Sequence, residues 1–403
     1  MSIFVSILGL AFLILIHEAG HFFTAIALHM RPRKFYVGFP PAIAKVRRRG
    51  IEYGVGAIPL GGYVKIPGMH RPAPKDLELH YQRALEEAPQ LAGPVARVQQ
   101  ALADNEWDLA AEELPELERR TAEAELSERG RVGVERALAE LRDGLSRDAY
   151  WRAAPWRRVL VIFAGPATNL VFAVLLFALL FMTGGGAATS TVDRVVPGSP
   201  AAAMGLSAGD HIVAINGRTV DPDDISRTVN SSRGRPVKVR VERNGRNVAL
   251  APQQPARIEG RYRLGFVLAG ESLSPLDATK EAVRVTGVVS KEIVTSLGNL
   301  VHKEGRDQIS SPVGIVEGSS TAARQGSQTY LWVLGLISLS LALLNLLPLL
   351  PLDGGHIFFS LLEWMRGRAV PRDVYERFSA IGIALVLMLF FIGLSNDVGR
   401  LGD

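Results

Sequence analysis

The sequence has no cysteine among its 403 residues. Disulfides, thiolate nucleophiles and cysteine-bound metals are therefore excluded, so a tightly bound transition metal would need histidine and carboxylate ligands. Charge is moderate as well, since charged residues make up 21% of the chain and the net charge is +5. Arginines beside apolar runs fit the cytoplasmic flanks of membrane spans better than a nucleic-acid surface, so we expect no nucleic-acid partner.

Long apolar runs stand out instead, because hydrophobic residues form 48% of the chain and are clustered. Four runs are long enough, or nearly so, to cross a bilayer: 3–28, 159–182, 330–350 and 378–394. Basic residues flank the connections between the first and second runs and between the third and fourth. We therefore expect these connections to be cytoplasmic, and both termini and residues 184–327 to lie outside the cytoplasm.

Three ionisable residues follow the first uncharged run, in the order His17-Glu18-Ala-Gly-His21. Histidines four residues apart share one helical face, so both can reach one zinc ion, and the glutamate between them can act as general base on a metal-bound water. A chance match on a solvated helix is common. Ionisable groups inside a membrane span are costly, however, and usually mark function. We predict that His17 and His21 bind metal and that Glu18 is catalytic.

A second polar cluster ends the third apolar run, where Asn345 is followed by Asp353, two glycines and His356. Asp353 is a candidate third ligand, since two histidines and a carboxylate with one open position are typical of catalytic zinc. Taken alone, it would be a turn residue. Asn345 needs a hydrogen-bond partner on a neighbouring helix or a substrate backbone. We expect His356 to support the site or the fold, and Asn169 to pack between helices.

The segments outside the spans form four regions. Residues 31–70 alternate in polarity, which predicts a β-hairpin that either caps the helices or offers an edge to an extended peptide. Residues 71–150 predict solvated amphipathic helices broken near Pro115 and Gly130. We assign no chemistry to them; a regulatory or partner-binding helical hairpin is one role open to this insertion. Residues 187–270 predict a β-rich domain with turns at Asn216-Gly217 and Asn244-Gly245. Residues 271–327 predict an amphipathic linker with an apolar turn at 311–315.

Together these motifs resemble the site-2 protease family of intramembrane zinc metalloproteases. His17-Glu18-Ala-Gly-His21 is similar to the family's first motif, and Asn345-x-x-Pro348-x-x-x-x-Asp353-Gly354 is similar to its second, at the expected spacing. The segments 163–169 and 61–65 look like those of bacterial members that cleave anti-sigma factors. Residues 187–270 resemble a PDZ domain. The resemblance covers most of the chain except 71–149.

The fold expected on this basis is a polytopic α-helical membrane protein with a membrane-associated β-hairpin and an extracytoplasmic PDZ-like α+β domain. Its transmembrane helices would occupy 1–30, 157–183, 328–356 and 376–395. The protein would lie in the bacterial inner membrane, where lipid surrounds its helices, and its active site would face the cytoplasmic side.

The resemblance also implies roles for single residues. Zn²⁺ would be bound by His17, His21 and Asp353, and Glu18 would activate water. The substrate strand would be held by Asn345, Gly61, Gly62 and Tyr63. The substrate would be a single-span membrane protein such as an anti-sigma factor, cut within or near its transmembrane segment after the PDZ-like domain admits a chain already shortened outside.

Three departures from the family pattern bear on substrate choice and regulation. The chain has one PDZ-like domain where the enterobacterial type has two, Pro40 stands where related sequences often have glycine, and the insertion is large.

Two other functions are open on the sequence. A membrane metal transporter or sensor would use the histidines as a passage site, but it explains neither Glu18 nor the β-rich domain. An inactive PDZ scaffold would need none of His17, Glu18, His21 and Asp353.

Overall fold

The computed structural model describes residues 2–258, 260–298 and 310–402. Its main helices are α1 (Ser2–Ala27), α2 (Pro74–Glu87), α3 (Ala92–Ala103), α4 (Trp107–Glu123), α5 (Glu128–Leu145), α6 (Pro155–Met182), α7 (Pro200–Ala203), α8 (Pro222–Ser231), α9 (Pro275–Gly298), α10 (Pro312–Gln325), α11 (Ser327–Asn345), α12 (Asp353–Arg366) and α13 (Arg372–Gly402). Its strands are β1 (Lys34–Arg48), β2 (Ile51–Lys65), β3 (Ala188–Val195), β4 (His211–Ile215), β5 (Arg218–Thr219), β6 (Val239–Arg243), β7 (Arg246–Ala249), β8 (Ala256–Ile258), β9 (Arg261–Arg263) and β10 (Phe266–Gly270).

The chain divides into two compact units. The first consists of Met1–Val171, Glu292–Thr321 and Ile337–Asp403, and the second of Phe172–Lys291 and Ala322–Leu336. The first unit contains every residue that the sequence assigns to a site, so the chemistry can be followed within it alone.

Four helices are long and apolar enough to cross a membrane, as the sequence predicts: α1, α6, α11 and the Arg372–Gly399 part of α13. Large apolar side chains on them are exposed, such as Phe4 and Leu8 of α1 and Phe391 of α13. A bilayer would cover these faces, since lipid is as apolar as the side chains themselves.

The third of these helices is shorter than expected. α11 ends at Asn345, whereas the sequence predicts a third transmembrane helix that continues to residue 356. Pro348 and Pro351 have no N–H to continue a helix, so the chain turns and a new helix, α12, begins at Asp353. The fourth helix is longer than the predicted 376–395, because it runs from Arg372 to Gly402.

Strands β1 and β2 form the predicted hairpin, with both residues of the turn, Arg49 and Gly50, at positive φ. A second pairing was not predicted. Residues 34–37 of β1 pair with 52–55 at one end of β2 and with 62–65 at the other. The start of β1 therefore lies between the two ends of β2, and the outer edges of this small sheet are formed by 42–48 and 62–65.

The insertion forms amphipathic helices, as the sequence predicts, but there are four of them and they pack around a core of their own instead of forming a hairpin. Helices α2 to α5 surround a core of fully buried side chains that includes Leu77, Tyr81, Leu91 and Leu117. One side of each amphipathic helix faces this core, which explains why the charged residues of the segment stay outside.

The predicted break near Pro115 was wrong, whereas the one predicted near Gly130 lies close to the observed break between α4 and α5. Pro115 lies inside α4, where packing of the neighbouring Leu114 and Leu117 outweighs the one backbone hydrogen bond that proline removes. The chain leaves the helix at residues 124–127 instead. Ser127 then caps α5 by accepting a hydrogen bond from the backbone N–H of Gly130.

Ion pairs join this helical insertion to the small sheet. The Arg33 guanidinium donates to Asp148 through two 3.0 Å hydrogen bonds and to Asp143 through another of 3.0 Å. Lys65 lies 2.7 Å from Asp143. These groups are only partly exposed, so the bidentate contact to Asp148 fixes geometry better than an isolated surface pair would.

The second unit contains the predicted β-rich region. Its sheet has the strand order β10-β3-β4-β6-β7, with β5 beside β4, and β8 pairs with β9. Buried Val192, Ile212 and Val241 lie in its core. Asn216-Gly217 and Asn244-Gly245 connect neighbouring strands with positive φ at all four residues, as the turn pattern predicts.

The linker prediction holds only in part. α9 matches the expected amphipathic helix, and residues 299–309 lie outside the described part of the chain. The expected turn at 311–315 is the start of helix α10. This helix forms because the buried Asp397 carboxylate accepts hydrogen bonds from the first backbone N–H groups, those of Ser311 (2.8 Å) and Gly314 (3.1 Å).

One buried ion pair fixes the loop before β4. The Asp210 side chain is 2% exposed and accepts from Arg243 at 2.6 and 2.7 Å and from the Ser207 N–H at 2.8 Å. The Arg243 guanidinium lowers the pKa of Asp210, so the carboxylate stays charged at neutral pH.

We expect Asp210→Asn to destabilise this sheet by about 1–2 kcal/mol, because it weakens a buried charged hydrogen bond whose arginine is partly exposed. Faster hydrogen exchange of β4 and β6 in the full-length protein would measure the loss. Asp224→Asn is the matched control, since Asp224 pairs with Arg227 on the surface. An equal effect of both changes would contradict a special role for Asp210.

Candidate metal centre

Helix α1 positions the two histidines. Its buried residues include Leu13, His17, His21 and Ala25, which recur every fourth position and form one stripe. Both imidazoles therefore point away from the lipid-facing side of the helix and toward the same neighbours. The i, i+4 spacing places them one turn apart, with ring centroids 4.9 Å from each other.

Asp353 completes the cluster from the first turn of α12. Its Oδ2 lies 3.2 Å from Nε2 of His17 and 3.3 Å from Nε2 of His21, and the two Nε2 atoms are 3.3 Å apart. Zinc–ligand bonds of about 2.0–2.1 Å in a tetrahedron give ligand separations of about 3.3–3.4 Å. The three predicted ligand atoms thus have the separations of one face of a zinc tetrahedron.

The chemistry of these three atoms also requires a cation. Within the described residues, Asp353 Oδ2 is buried and has no hydrogen-bond donor. If both imidazoles present unprotonated Nε2, three lone pairs converge on one point in an apolar surrounding. That arrangement is strongly unfavourable without a positive charge between them. The residues present therefore fit a divalent metal ion such as zinc.

The outer nitrogen of each imidazole has a partner that orients the ring. His21 Nδ1 lies 2.9 Å from the Val161 carbonyl of α6, which accepts its proton and leaves Nε2 free for metal. His17 Nδ1 lies 3.4 Å from the Asn169 amide nitrogen. Turning that amide by 180° would put the otherwise unpartnered Oδ1 of Asn169 against the Nδ1–H of His17.

Asn169 therefore does more than the packing role expected from the sequence. It is fully buried, and its backbone carbonyl accepts a 2.8 Å hydrogen bond from Ser338 of α11. Its side chain faces His17, so one residue links three helices and positions a metal ligand. The sequence signal was a polar residue inside an apolar span, in the segment 163–169.

Glycines allow α1 and α6 to approach this closely. A Cβ at Gly20 would lie 2.5 Å from both the Ala164 carbonyl oxygen and the Thr168 hydroxyl, and a Cβ at Gly165 would lie 2.6 Å from Cε1 of His21. No larger residue fits at either position without moving a helix or the His21 ring. Gly165 was not identified as a site residue, because its importance lies in the contact between two helices.

Glu18 lies beside the cluster and against the end of β2. Its carboxylate lies near the Val64 backbone N–H. Gly62 has no side chain, and a Cβ there would lie 3.0 Å from Cγ of Glu18. The predicted catalytic carboxylate and the predicted glycine-rich segment are therefore direct neighbours.

The remaining predicted substrate residues lie at different distances from the metal ligands. Tyr63 stacks on Tyr36, with ring centroids 5.1 Å apart, in the edge segment that contains Gly61 and Gly62. Asn345 is half-buried at the end of α11, and within the described residues no hydrogen bond of its side chain is found. Its role as a substrate ligand stays a prediction.

His356 lies one turn after Asp353 on α12. Its Nδ1 makes a short hydrogen bond with the Tyr375 hydroxyl of α13, and its ring is not part of the metal-ligand group. This contact holds α12 against α13, which agrees with the supporting role expected from the sequence.

Comparison with known proteins gives matches over nearly the whole chain. The model of peptidase family M50 matches residues 5–389. Zinc metalloprotease RasP of Geobacillus kaustophilus is 26% identical over 404 residues, covering 96% of this chain and 95% of the relative. Proteins from Agrobacterium fabrum (30% identical, 98% and 95% covered) and Lactococcus lactis (27% identical, 98% and 97% covered) are also named as zinc metalloproteases.

We expect Gly165→Ala to lower zinc affinity at least about tenfold, because the added methyl displaces the His21 ring from the ligand position. The measurement is zinc retained per chain after dialysis against a weak chelator. Gly318→Ala is the matched control, since a Cβ at Gly318 meets nothing within 4 Å. Equal zinc retention in both variants would show that the contact with His21 is unimportant.

Proposed function

Since this chain belongs to peptidase family M50, the site-2 protease family of zinc metalloproteases, we propose that it hydrolyses a peptide bond within or near the transmembrane segment of a single-span membrane protein. The observation that supports this most directly is the position of the metal-ligand group. His17 lies on α1, a helix apolar enough to span a membrane, and Asp353 begins the helix after the third such span.

The metal-binding residues and Glu18 have different roles in the reaction. Zinc held by His17, His21 and Asp353 would lower the pKa of a water molecule and polarise the scissile carbonyl. The Glu18 carboxylate, next to the ligands, takes the proton of the attacking water and returns it to the leaving amine.

A transmembrane substrate must first lose its helical structure. Its carbonyls are hidden in intrahelical hydrogen bonds, and freed backbone groups are costly in an apolar medium. An edge strand supplies replacement partners, as in β-strand addition. We propose that residues 61–65 hold the substrate in this way, because this edge of the small sheet adjoins Glu18. The other edge, 42–48, is separated from residues 61–65 by the intervening strands of the sheet.

The wider setting of this function is part of the proposal. The substrate is an anti-sigma factor or a similar regulator cut during regulated intramembrane proteolysis, in a bacterial inner membrane. The Arg- and Lys-containing flanks put both termini and the β-rich unit outside the cytoplasm, with the active site toward the cytoplasmic side. The β-rich unit acts as a PDZ-like filter for shortened substrates.

We expect Glu18→Gln to retain about one zinc per chain and to cleave at a rate at least about 10³-fold below wild type, because the ligands remain but the proton acceptor is lost. A tagged single-span anti-sigma-type substrate in detergent is the assay, with zinc determined on the same samples. Glu140→Gln, an exposed change on α5, is the control. Cleavage by Glu18→Gln at the wild-type rate would refute its role as base.

The absence of cysteine allows a direct test of the substrate edge. In the Glu18→Gln background, Tyr63→Cys is expected to form a disulfide with a substrate that has one cysteine beside its cleavage site, because added strands bring Cβ atoms within disulfide distance. Val46→Cys on the opposite edge is the matched control; Val46 is exposed, so a lack of crosslinking there would not come from burial. Crosslinking at residue 46 but not at 63 would reverse the assignment of the edge.

A further inference from the structure

A cavity of about 400 Å³ lies in the first unit, separate from the metal-ligand group. One side is formed by residues of the helical insertion, such as Trp107, and the other by α12, by the start of α13 and by Arg158 in the first turn of α6. Its volume is within the range of small-molecule sites, about 300–1,000 Å³. Nothing in the proteolytic mechanism uses this cavity.

Arg71 lies in the cavity wall without a carboxylate partner in the part of the chain that the structure describes. Its guanidinium carbon lies 5.2 Å from the ring centroid of Trp107 and 5.2 Å from that of Trp151. Burial lowers the pKa of Arg71; the charge of Glu363 opposes this change, and that of Arg158 adds to it. Two guanidinium groups near each other would both be stabilised by an anion between them.

Arg158 is the second cationic group, and 8% of it is exposed. Its Nη1 donates to Glu363 at 2.6 Å, and the other oxygen of Glu363 accepts from the Val370 N–H at 3.0 Å. The buried Nε–H of Arg158, however, finds no partner among the described residues. A buried N–H on a charged group rarely remains unpaired, so this donor needs an acceptor from outside the chain.

Trp107 contributes a third donor. Its Nε1–H is buried and, within the same described residues, unpartnered, although tryptophan usually finds a partner for this group. The last charged lining residue, Arg372, is already paired with Asp76 and Glu376. The cavity thus contains three donors available to a ligand, two of them on guanidinium groups, and its one carboxylate is already satisfied.

We propose that this cavity binds a small phosphate-bearing anion through Arg71, Arg158 and Trp107. The guanidinium fork matches phosphate oxygens, and three donor side chains that line one cavity suit a tetrahedral anion. Two sources can supply this chemistry: a soluble phosphorylated compound or the headgroup of an anionic lipid. The lipid source is compatible with the position of Arg158 in the first turn of α6, because arginine and aromatic residues near the end of a span are typical of the headgroup region.

The cavity shares a helix with the metal site. Asp353, His356, Ser360 and Glu363 follow one another at spacings of three or four residues along α12, so they lie on one face. Asp353 binds the metal, and the other three line the cavity. A bound anion would therefore contact the helix that supplies the third metal ligand.

The test uses full-length protein in uncharged detergent. Calorimetric titration with inorganic phosphate, glycerol 3-phosphate and adenosine monophosphate covers the soluble source. Native mass spectrometry with equal amounts of phosphatidylglycerol and phosphatidylcholine covers the lipid source. We expect one ligand per chain from at least one source, with affinity or lipid retention reduced at least about tenfold in Arg71→Gln.

Arg136→Gln is the matched control, because it removes the same charge from an exposed site on α5. Trp107→Phe removes the N–H and keeps an aromatic side chain, so it decides the question if Arg71→Gln does not fold. Binding weakened in Arg71→Gln or Trp107→Phe, but not in Arg136→Gln, supports the site. No binding from either source, or binding unchanged in both cavity variants, overturns it.

Discussion

Three lone pairs directed at one point, inside helices that face lipid, are the constraint on which the first unit depends. Nε2 of His17, Nε2 of His21 and Oδ2 of Asp353 lie 3.2–3.3 Å apart. With both Nε2 atoms unprotonated, such a group favours a cation at its centre, and its geometry is useful only if each candidate ligand is held. The close approach of α6 to α1 and the break between α11 and α12 both serve this end.

The sequence singled out His17, His21 and Asp353, which the structure brings together, because two kinds of local pattern point to them. Two histidines at i and i+4 share a helical face wherever the helix lies, and a polar cluster after two prolines marks a span's end. The groups that hold them could not be predicted. The Val161 carbonyl meets His21 across 140 positions of sequence, and Gly165 matters only because two helices touch there. Such contacts depend on tertiary packing, which periodicity does not determine.

The same limit explains the errors in the fold. The turn at 49–50 and the turns of the β-rich unit follow from local residue types and were predicted. The pairing of 34–37 with both ends of β2 depends on contacts distant in sequence and was not. Pro115 was expected to end a helix, yet the core of the insertion outweighs one lost hydrogen bond. Local preference failed where burial opposed it.

Glu18 connects the chemistry with the proposed way of holding substrate. Its side chain lies against Gly62, in the segment that forms the outer edge of the small sheet, where the absence of a Cβ leaves room for it. A strand added to that edge would place its backbone next to the base without further rearrangement. Because α12 supplies Asp353 at one end and contacts the arginine-lined cavity farther along, the metal centre lies between two surfaces that could each hold a ligand. The three side chains of this cluster have little freedom to move. A shift of either surface, whether it follows substrate binding or cavity occupancy, would therefore change the geometry of the same three side chains.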